Sequence, residues 1–436
     1  MFRKHLSVSI LFLSIFTCLS PSRAQESDSL TVAQAIRLAV ENHPAVQQAQ
    51  QGVVASQARV DQSRSARYPD VKVEALYSRI GPVPEISMPL GASFQLASED
   101  NYNFHLSLRE TVYDFGRRST GEELARSGQR SADDNVELIK SNLAYRTIET
   151  FYAILFLRRN LAVLDEQIEA LNQHLLITQR KVQTGSATDF DVLTTHVRIS
   201  AVKTRKIDVA NLLQRQENTF RQLTGLAPDQ PVALKGDFSV TPISLNADSL
   251  LEAALNQLPD VRLSKAAETS ADVRFHLASL GMKPMLNANL DFGFKNGYPD
   301  NLNRLKANWI AGAQLQVPLF NGFLTRSQKQ EAQANLNAAQ AHTRDLERQI
   351  MTTVTQALAD VRASQEKVAN TQPQAEQARQ AVVLAEARYS AGVATNLDLL
   401  DAQTALADAE LAQLKALYDL KISYYNLGKA VGHKVW

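Results

Sequence analysis

The sequence predicts a mixed α and β chain, mainly α, in which a few short strands accompany very long helices. Three observations predict this. The chain carries an internal duplication; each copy holds a long stretch nearly free of proline; and each copy holds two segments in which apolar and polar residues alternate.

The N-terminus has a basic start at Arg3 and Lys4, an apolar stretch from Leu6 to Leu19, and Ser22-Arg23-Ala24 before Gln25. That is the layout of a signal peptide over residues 1–24, cleaved after Ala24. The apolar run is about 14 residues, short of the roughly 20 that a spanning helix needs. Cys18 raises lipid attachment as a lesser reading, because Thr17 precedes it where a lipid-attachment box takes Gly, Ala or Ser. With cleavage after Ala24 the mature chain has no cysteine, which removes disulfides, thiol catalysis and cysteine metal sites together.

Charge is balanced, with 46 Lys and Arg against 45 Asp and Glu. Nucleic acid is therefore not an expected partner, since phosphate binding leaves a basic footprint. No apolar run of 18 residues follows the signal segment. A membrane crossing would have to use strands closed into a barrel, which pairs every backbone polar group in lipid.

The duplication fixes the order of elements. Ala39 to Val46 around Pro44 matches Ala254 to Val261 around Pro259, an offset of 215 that Pro69 and Pro284 share. Farther on the offset is 207: Val112-Tyr113-Asp114 matches Leu319-Phe320-Asn321, and Gly185, Thr188 and Asp191 match Gly392, Thr395 and Asp398. The extra residues of the first copy lie between Tyr77 and Phe104, where Gly81-Pro82 and Pro89-Leu90-Gly91 read as a longer loop. The expected units are a first repeat at 25–225, a linker at 226–247 and a second repeat at 248–436. Each repeat reads as short helix, medium helix, two strands, very long helix and long helix.

No proline occurs from Leu90 to Ala227, and only Pro373 occurs after Pro318 in the second copy, so long helical hairpins are expected at about 116–223 and 323–430. A local bend or a break in the i to i−4 ladder is expected near 369–373. Leu157, Leu161, Leu164, Ile168, Leu171, Leu175, Thr178 and Val182 keep the alternating 4-3 spacing of a coiled-coil seam, as do Leu397, Leu400, Thr404, Ala407, Leu411, Leu414 and Tyr418. An ordinary soluble coiled coil would show the same seam. Lengths add a constraint: a helix over 116–184 would be about 100 Å long, whereas its return partner over 186–223 spans only about 57 Å. A further helix over 44–67, about 36 Å, nearly makes up the difference if it stacks end to end on that partner.

Strands are expected at about 71–79, 102–112, 285–294 and 309–317. Leu286, Ala288, Leu290, Phe292 and Phe294 alternate with Asn287, Asn289, Asp291 and Gly293, the pattern of a strand with one face toward lipid. Phe104, Leu106 and Leu108 alternate with His105, Ser107 and Arg109, and Tyr102 and Trp309 sit near strand starts. A half-buried soluble sheet is the alternative. Four strands cannot close a barrel, since even the smallest need about eight, so several copies would have to share one sheet.

With these motifs in place, the chain resembles the outer-membrane efflux protein family of the TolC type. The resemblance rests on the duplicated long helix opened by Val112-Tyr113-Asp114-Phe115-Gly116 and by Pro318-Leu319-Phe320-Asn321-Gly322. It rests also on the turn segments Lys181 to Gly185 and Arg388 to Gly392, with Asn396 to Gln403 following. It implies a homotrimer in which three protomers share one β-barrel, continuous with a periplasmic α-helical barrel closed at its inner end by helix tips. Such a subunit would be the passive outer-membrane duct of a tripartite efflux or type I secretion system, with a periplasmic adaptor protein, an inner-membrane pump and outer-membrane lipid as partners.

At the tips, Gly185 and Gly392 would reverse the helices and Thr188 and Thr395 would cap the returning ones. The resemblance places Lys181, Gly185, Arg388 and Gly392 on the adaptor-facing surface, Asp398 and Asp401 in the pore constriction, and Asp191 and Tyr389 among the gate latches. Acids brought together in such a ring would have raised pKa values. Ala394 departs from the family pattern, which has an arginine there. The competing reading is a periplasmic coiled-coil adaptor. Catalysis is not expected: no His-Glu-x-x-His, Gly-x-Ser-x-Gly or phosphate-loop pattern occurs, and the eight histidines, His174 and His196 included, are scattered as surface or packing residues. No cofactor or metal is expected.

Overall fold

The computed structural model describes residues 29–436, apart from 88, 90, 92 and 241–245. The expected signal peptide, Cys18 and the first residues of the expected first repeat lie outside the described residues.

Each half begins with two helices in line. Helix α1 (Val32–Asn42) starts at Thr31, whose hydroxyl and backbone N–H engage Gln34 in a reciprocal cap. Helix α2 (Pro44–Ser65) starts on a proline at its first position, where the missing N–H costs nothing. Strand β1 (Asp70–Arg79), a small hairpin of β2 (Glu85–Ser87) and β3 (Ser93–Gln95), and strand β4 (Asp100–Tyr113) follow. Helix α3 (Arg117–Gln183) then runs 67 residues, about 100 Å, and α4 (Asp189–Thr224) returns over 36. The second half repeats the plan with α5 (Ala247–Gln257), α6 (Pro259–Ser279), β5 (Met285–Lys295), β6 (Lys306–Gln316), α7 (Leu324–Ser390) and α8 (Asn396–Ala430). Helix α7 is again 67 residues long. Helix α3 packs against both α2 and α4, and α7 against both α6 and α8, so each long rod is flanked by two shorter ones.

Strands β1, β4, β5 and β6 form one antiparallel sheet in the order β1-β4-β5-β6. Register sorts its side chains by face. Val73, Leu106, Phe292 and Trp309 form one cross-strand row, and Val71, Leu108, Leu290 and Ala311 form another. On the opposite face Glu74 lies beside His105, at 3.1 Å, and His105 faces Gly293. A Cβ at Gly293 would lie 1.9 Å from the Phe104 carbonyl oxygen, so only glycine fits. The apolar rows are left uncovered by this chain, with Val73 79% and Trp309 69% exposed. Trp309 lies inside β6, three residues past its start at Lys306, because the ladder with β5 extends to Lys295.

The turn from strand to long helix uses two consecutive residues at positive φ in both halves: Phe115 (55°) and Gly116 (88°), then Gly322 (63°) and Phe323 (65°). A phenylalanine pays a steric penalty of roughly 1 kcal/mol or more in that region. Asp114 offsets part of it by accepting bonds from the backbone N–H groups of Gly116 and Arg118. One turn farther on, Glu122 is buried and accepts from Arg126 at 2.6 Å and Arg64 at 3.1 Å, with Arg67 at 2.5 Å. These arginines, Arg126 first, hold its carboxyl below the usual carboxylate range and tie the end of α2 to the start of α3.

Between sheet and tips lies an aromatic core of Tyr145, Ile148, Phe151, Tyr152, Phe220 and Phe238, drawn from α3, α4 and the segment after α4. Each such fully buried side chain contributes roughly 2–3 kcal/mol of apolar burial. Nearer the tips the 4-3 seam takes over: Leu164, Leu171 and Leu400 are buried together with Ile199, Val202 and Leu411. Leu397 departs from the expected seam and is 60% exposed, since α8 begins only at Asn396 and its first buried leucines are Leu399 and Leu400.

Helix α7 continues through Pro373, which removes the one ladder bond to the Ala369 carbonyl without ending the helix. Pro373 is exposed, so the Ala369 carbonyl that loses its helical donor can turn to solvent.

Candidate functional site at the helix tips

The two hairpin tips lie at the end of the rods far from the sheet and are built alike. In the first, the N–H of Gly185 bonds to the Val182 carbonyl at 3.0 Å and that of Ser186 to the Lys181 carbonyl at 2.7 Å. In the second, Gly392 bonds to Tyr389 at 3.2 Å and Val393 to Arg388 at 2.9 Å. Both are Schellman-type endings, which need a left-handed residue; Gly185 has φ 75° and Gly392 φ 74°. The returning helices begin at Thr188 and Thr395, each accepting from the N–H three residues on while Asp191 or Asp398 reaches back to the threonine's own N–H. Local chemistry alone thus folds both tips.

Asp398 is consumed by this cap. Its carboxylate accepts from the N–H and hydroxyl of Thr395, both at 2.8 Å, and these bonds, the backbone one first, hold its carboxyl below the usual range within a single chain. The elevation expected for a ring of acids needs neighbouring copies. Asp401, one turn on, points instead to Arg198 of α4 at 3.1 Å, and Asp408 to Arg205 at 3.4 Å one heptad later. The two acids thus share a stretch of helix but have different partners.

Tyr389 is buried at the foot of α7. Its hydroxyl lies 3.2 Å from that of Thr178, and its ring meets His174 edge to face at 5.1 Å. Lys181 donates to the Tyr389 carbonyl at 2.5 Å and holds its ammonium 4.0 Å from the ring centroid. Lys181 is therefore turned toward its own chain, whereas Gly185, Arg388 and Gly392 are exposed. Asp191 is half-buried in its cap.

His174, read from the sequence as a surface or packing residue, is a packing residue at the centre of the tip. It is 2% exposed, and its Nε2 lies 2.6 Å from Asn396 Oδ1, joining α3 to the first residue of α8. Asn396 in turn donates to the Asp191 carbonyl and to Thr194, each at 3.3 Å. One polar network therefore holds all four tip helices. Among the described residues no group of three or more His, Cys, Asp or Glu is arranged to hold a metal ion, and no helix is long and apolar enough to cross a membrane.

One apolar sheet face, two open sheet edges and paired rods of about 100 Å define a subunit of a membrane channel that extends well beyond the bilayer. The chain belongs to the outer membrane efflux protein family, whose sequence profile matches residues 35–226 and 250–433. It is 24% identical over 380 residues to the outer membrane protein TolC of Vibrio cholerae, covering 86% of this chain and 84% of that one. It is also 24% identical over 342 residues to the alkaline protease secretion protein AprF of Pseudomonas aeruginosa, covering 75% and 69%. Among solved structures, the outer-membrane channel OprN superposes with a TM-score of 0.79 at 18% identity, covering 93% of this chain and 90% of that one. The Campylobacter jejuni CmeC channel gives 0.80 at 17%, covering 92% and 85%. The protein is an outer-membrane efflux channel component and not an enzyme, and the adaptor reading is set aside by the family match.

Proposed function

We propose that this chain is one protomer of a homotrimeric exit duct that receives cargo from an inner-membrane pump through a periplasmic adaptor and releases it across the outer membrane. The observation that carries the reading is the sheet with one largely apolar face and two edges, β1 and β6, that pair with no further strand among the described residues, joined directly to the rods. Three such sheets supply enough strands for a closed barrel, and one does not. The relatives named for efflux and for protease secretion support a component of a multi-part export system in either setting.

In this reading residues 1–24 direct export, the repeats 25–225 and 248–436 flank the linker 226–247, and the tips form a gate. Asp398 and Asp401 line the constriction, Asp191 and Tyr389 belong to the latch, and Arg388, Gly185 and Gly392 face the adaptor, with Lys181 supporting that surface from within the chain. Planar-bilayer recording of the purified protein, with the mass of the detergent-solubilised particle, tests it. A trimer giving small, cation-selective conductance is expected; a folded monomer without conductance would overturn the reading.

A further inference from the structure

Within the gated-duct reading, we propose that His174 is an acid-sensitive latch that locks the two helical hairpins of one protomer together and lets them part when it takes up a proton. The geometry assigns its protonation state. Asn396 Nδ2 is committed to the Asp191 carbonyl and the Thr194 hydroxyl, which turns Oδ1 toward the imidazole. The 2.6 Å contact is then a bond donated by Nε2–H, and the ring is neutral with its other nitrogen bare. That nitrogen, Nδ1, is buried and has no hydrogen-bond partner.

A second proton would have to go on Nδ1, where it would find no acceptor. Burial opposes it further and pushes the His174 pKa down. The charged groups facing the ring are Glu386 from α7 and Asp191 from α4, which favour the cation, and Lys181 from α3, which opposes it. Helix α8 presents the amide of Asn396, whose oxygen accepts from the ring and also favours the cation, but less than burial opposes it. The network is thus complete only for the neutral ring.

If the hairpins separate, His174 is exposed and regains an ordinary pKa of about 6.5. The sign follows. Above that value both arrangements hold a neutral ring and pH has no effect. Below it only the parted arrangement binds the extra proton, so opening is favoured progressively as pH falls, approaching about tenfold per pH unit per protomer until the depressed pKa of the locked state is reached. The aspartates of the tip are unchanged in a variant at His174, which separates their effect from this one.

The test is the open fraction of the full-length channel in planar bilayers between pH 7.5 and 5.5. Wild type should open progressively below about pH 6.5. His174→Gln keeps a donor at nearly the same place and should be flat over that range; His174→Ala should be open at every pH. Asn396→Asp supplies a charged partner, raises the histidine pKa and should reverse the trend, closing more tightly in acid. Should the glutamine variant fail to assemble, the reversal in Asn396→Asp decides alone. Identical profiles for wild type and His174→Gln, or no reversal in Asn396→Asp, would overturn the latch while leaving the duct reading intact. No conductance from any of the proteins would overturn both.

Discussion

Asp191 and Asp398, 207 positions apart, make the same bonds. Each carboxylate accepts from the N–H and hydroxyl of the threonine three residues before it, at 2.9 and 2.8 Å in the first tip and 2.8 and 2.8 Å in the second. The pair therefore separates two roles that coincide at Asp398. Asp191→Ala and Asp398→Ala should speed amide exchange in the first turn of their helices alike. Block by multivalent cations should weaken, by roughly tenfold or more, only in Asp398→Ala/Asp401→Ala, since a tenfold change needs only about 1.4 kcal/mol of ring electrostatics. Equal block in that double variant and wild type would show that these acids do not line the constriction.

Gly293 leaves no room for a side chain, because the obstruction is backbone: the Phe104 carbonyl oxygen at 1.9 Å and His105 Cα at 2.6 Å. Gly293→Ala should open the β4 to β5 ladder and prevent membrane assembly. Gly312→Ala, which meets only the movable side chain of Asn289, should still assemble. The yield of heat-resistant oligomer in outer-membrane extracts measures both.

Glu122 makes the junction of α2 and α3 acid-sensitive. Its folded pKa lies below the ordinary value, so its stabilising effect is complete above about pH 4.5 and is lost as pH falls through the folded pKa. Glu122→Gln should lower the melting temperature at pH 7 and flatten the acid limb of the stability curve. Coincident melting profiles for variant and wild type from pH 7 to 3 would count against the cluster.

Pro373 is an exposed interior position of an unbroken helix. Pro373→Ala restores one backbone bond and should raise stability by up to about 3 kcal/mol, read from denaturant unfolding of the solubilised protein. A destabilised variant would mean that the proline fits a bend the channel requires.

Local patterns made most of the fold legible. Alternation at Leu286 to Phe294 gave the apolar face of the sheet, and the rows with Leu106 and Trp309 show why: register sets Leu106, Phe292 and Trp309 side by side and Leu108, Leu290 and Ala311 in the next row, with Ile310 an exception on the other face. Tip geometry was legible for the same reason, since glycine and threonine act within a few residues of themselves. The interaction of His174 with Asn396 was not, because the partners are 222 positions apart and neither carries a local signature. The inward turn of Lys181 escaped likewise: its acceptor is a carbonyl, and backbone atoms leave no mark in a sequence. That α7 runs on through Pro373 was not legible, because whether a proline ends a helix depends on whether the orphaned carbonyl can reach water.

The sheet ends on β1 and β6, and among the described residues no further strand satisfies the backbone donors and acceptors along either edge. Lipid cannot satisfy them either. In the shared-barrel reading proposed above, insertion and association are a single event whose rate depends on how many chains are present, and a newly exported chain has no resting place in the bilayer by itself. Until partners arrive it must stay in water with Val73, Phe292 and Trp309 uncovered, the period in which mispairing of like edges competes with assembly. Supply of chains thus governs how much channel a cell obtains more steeply than in simple proportion.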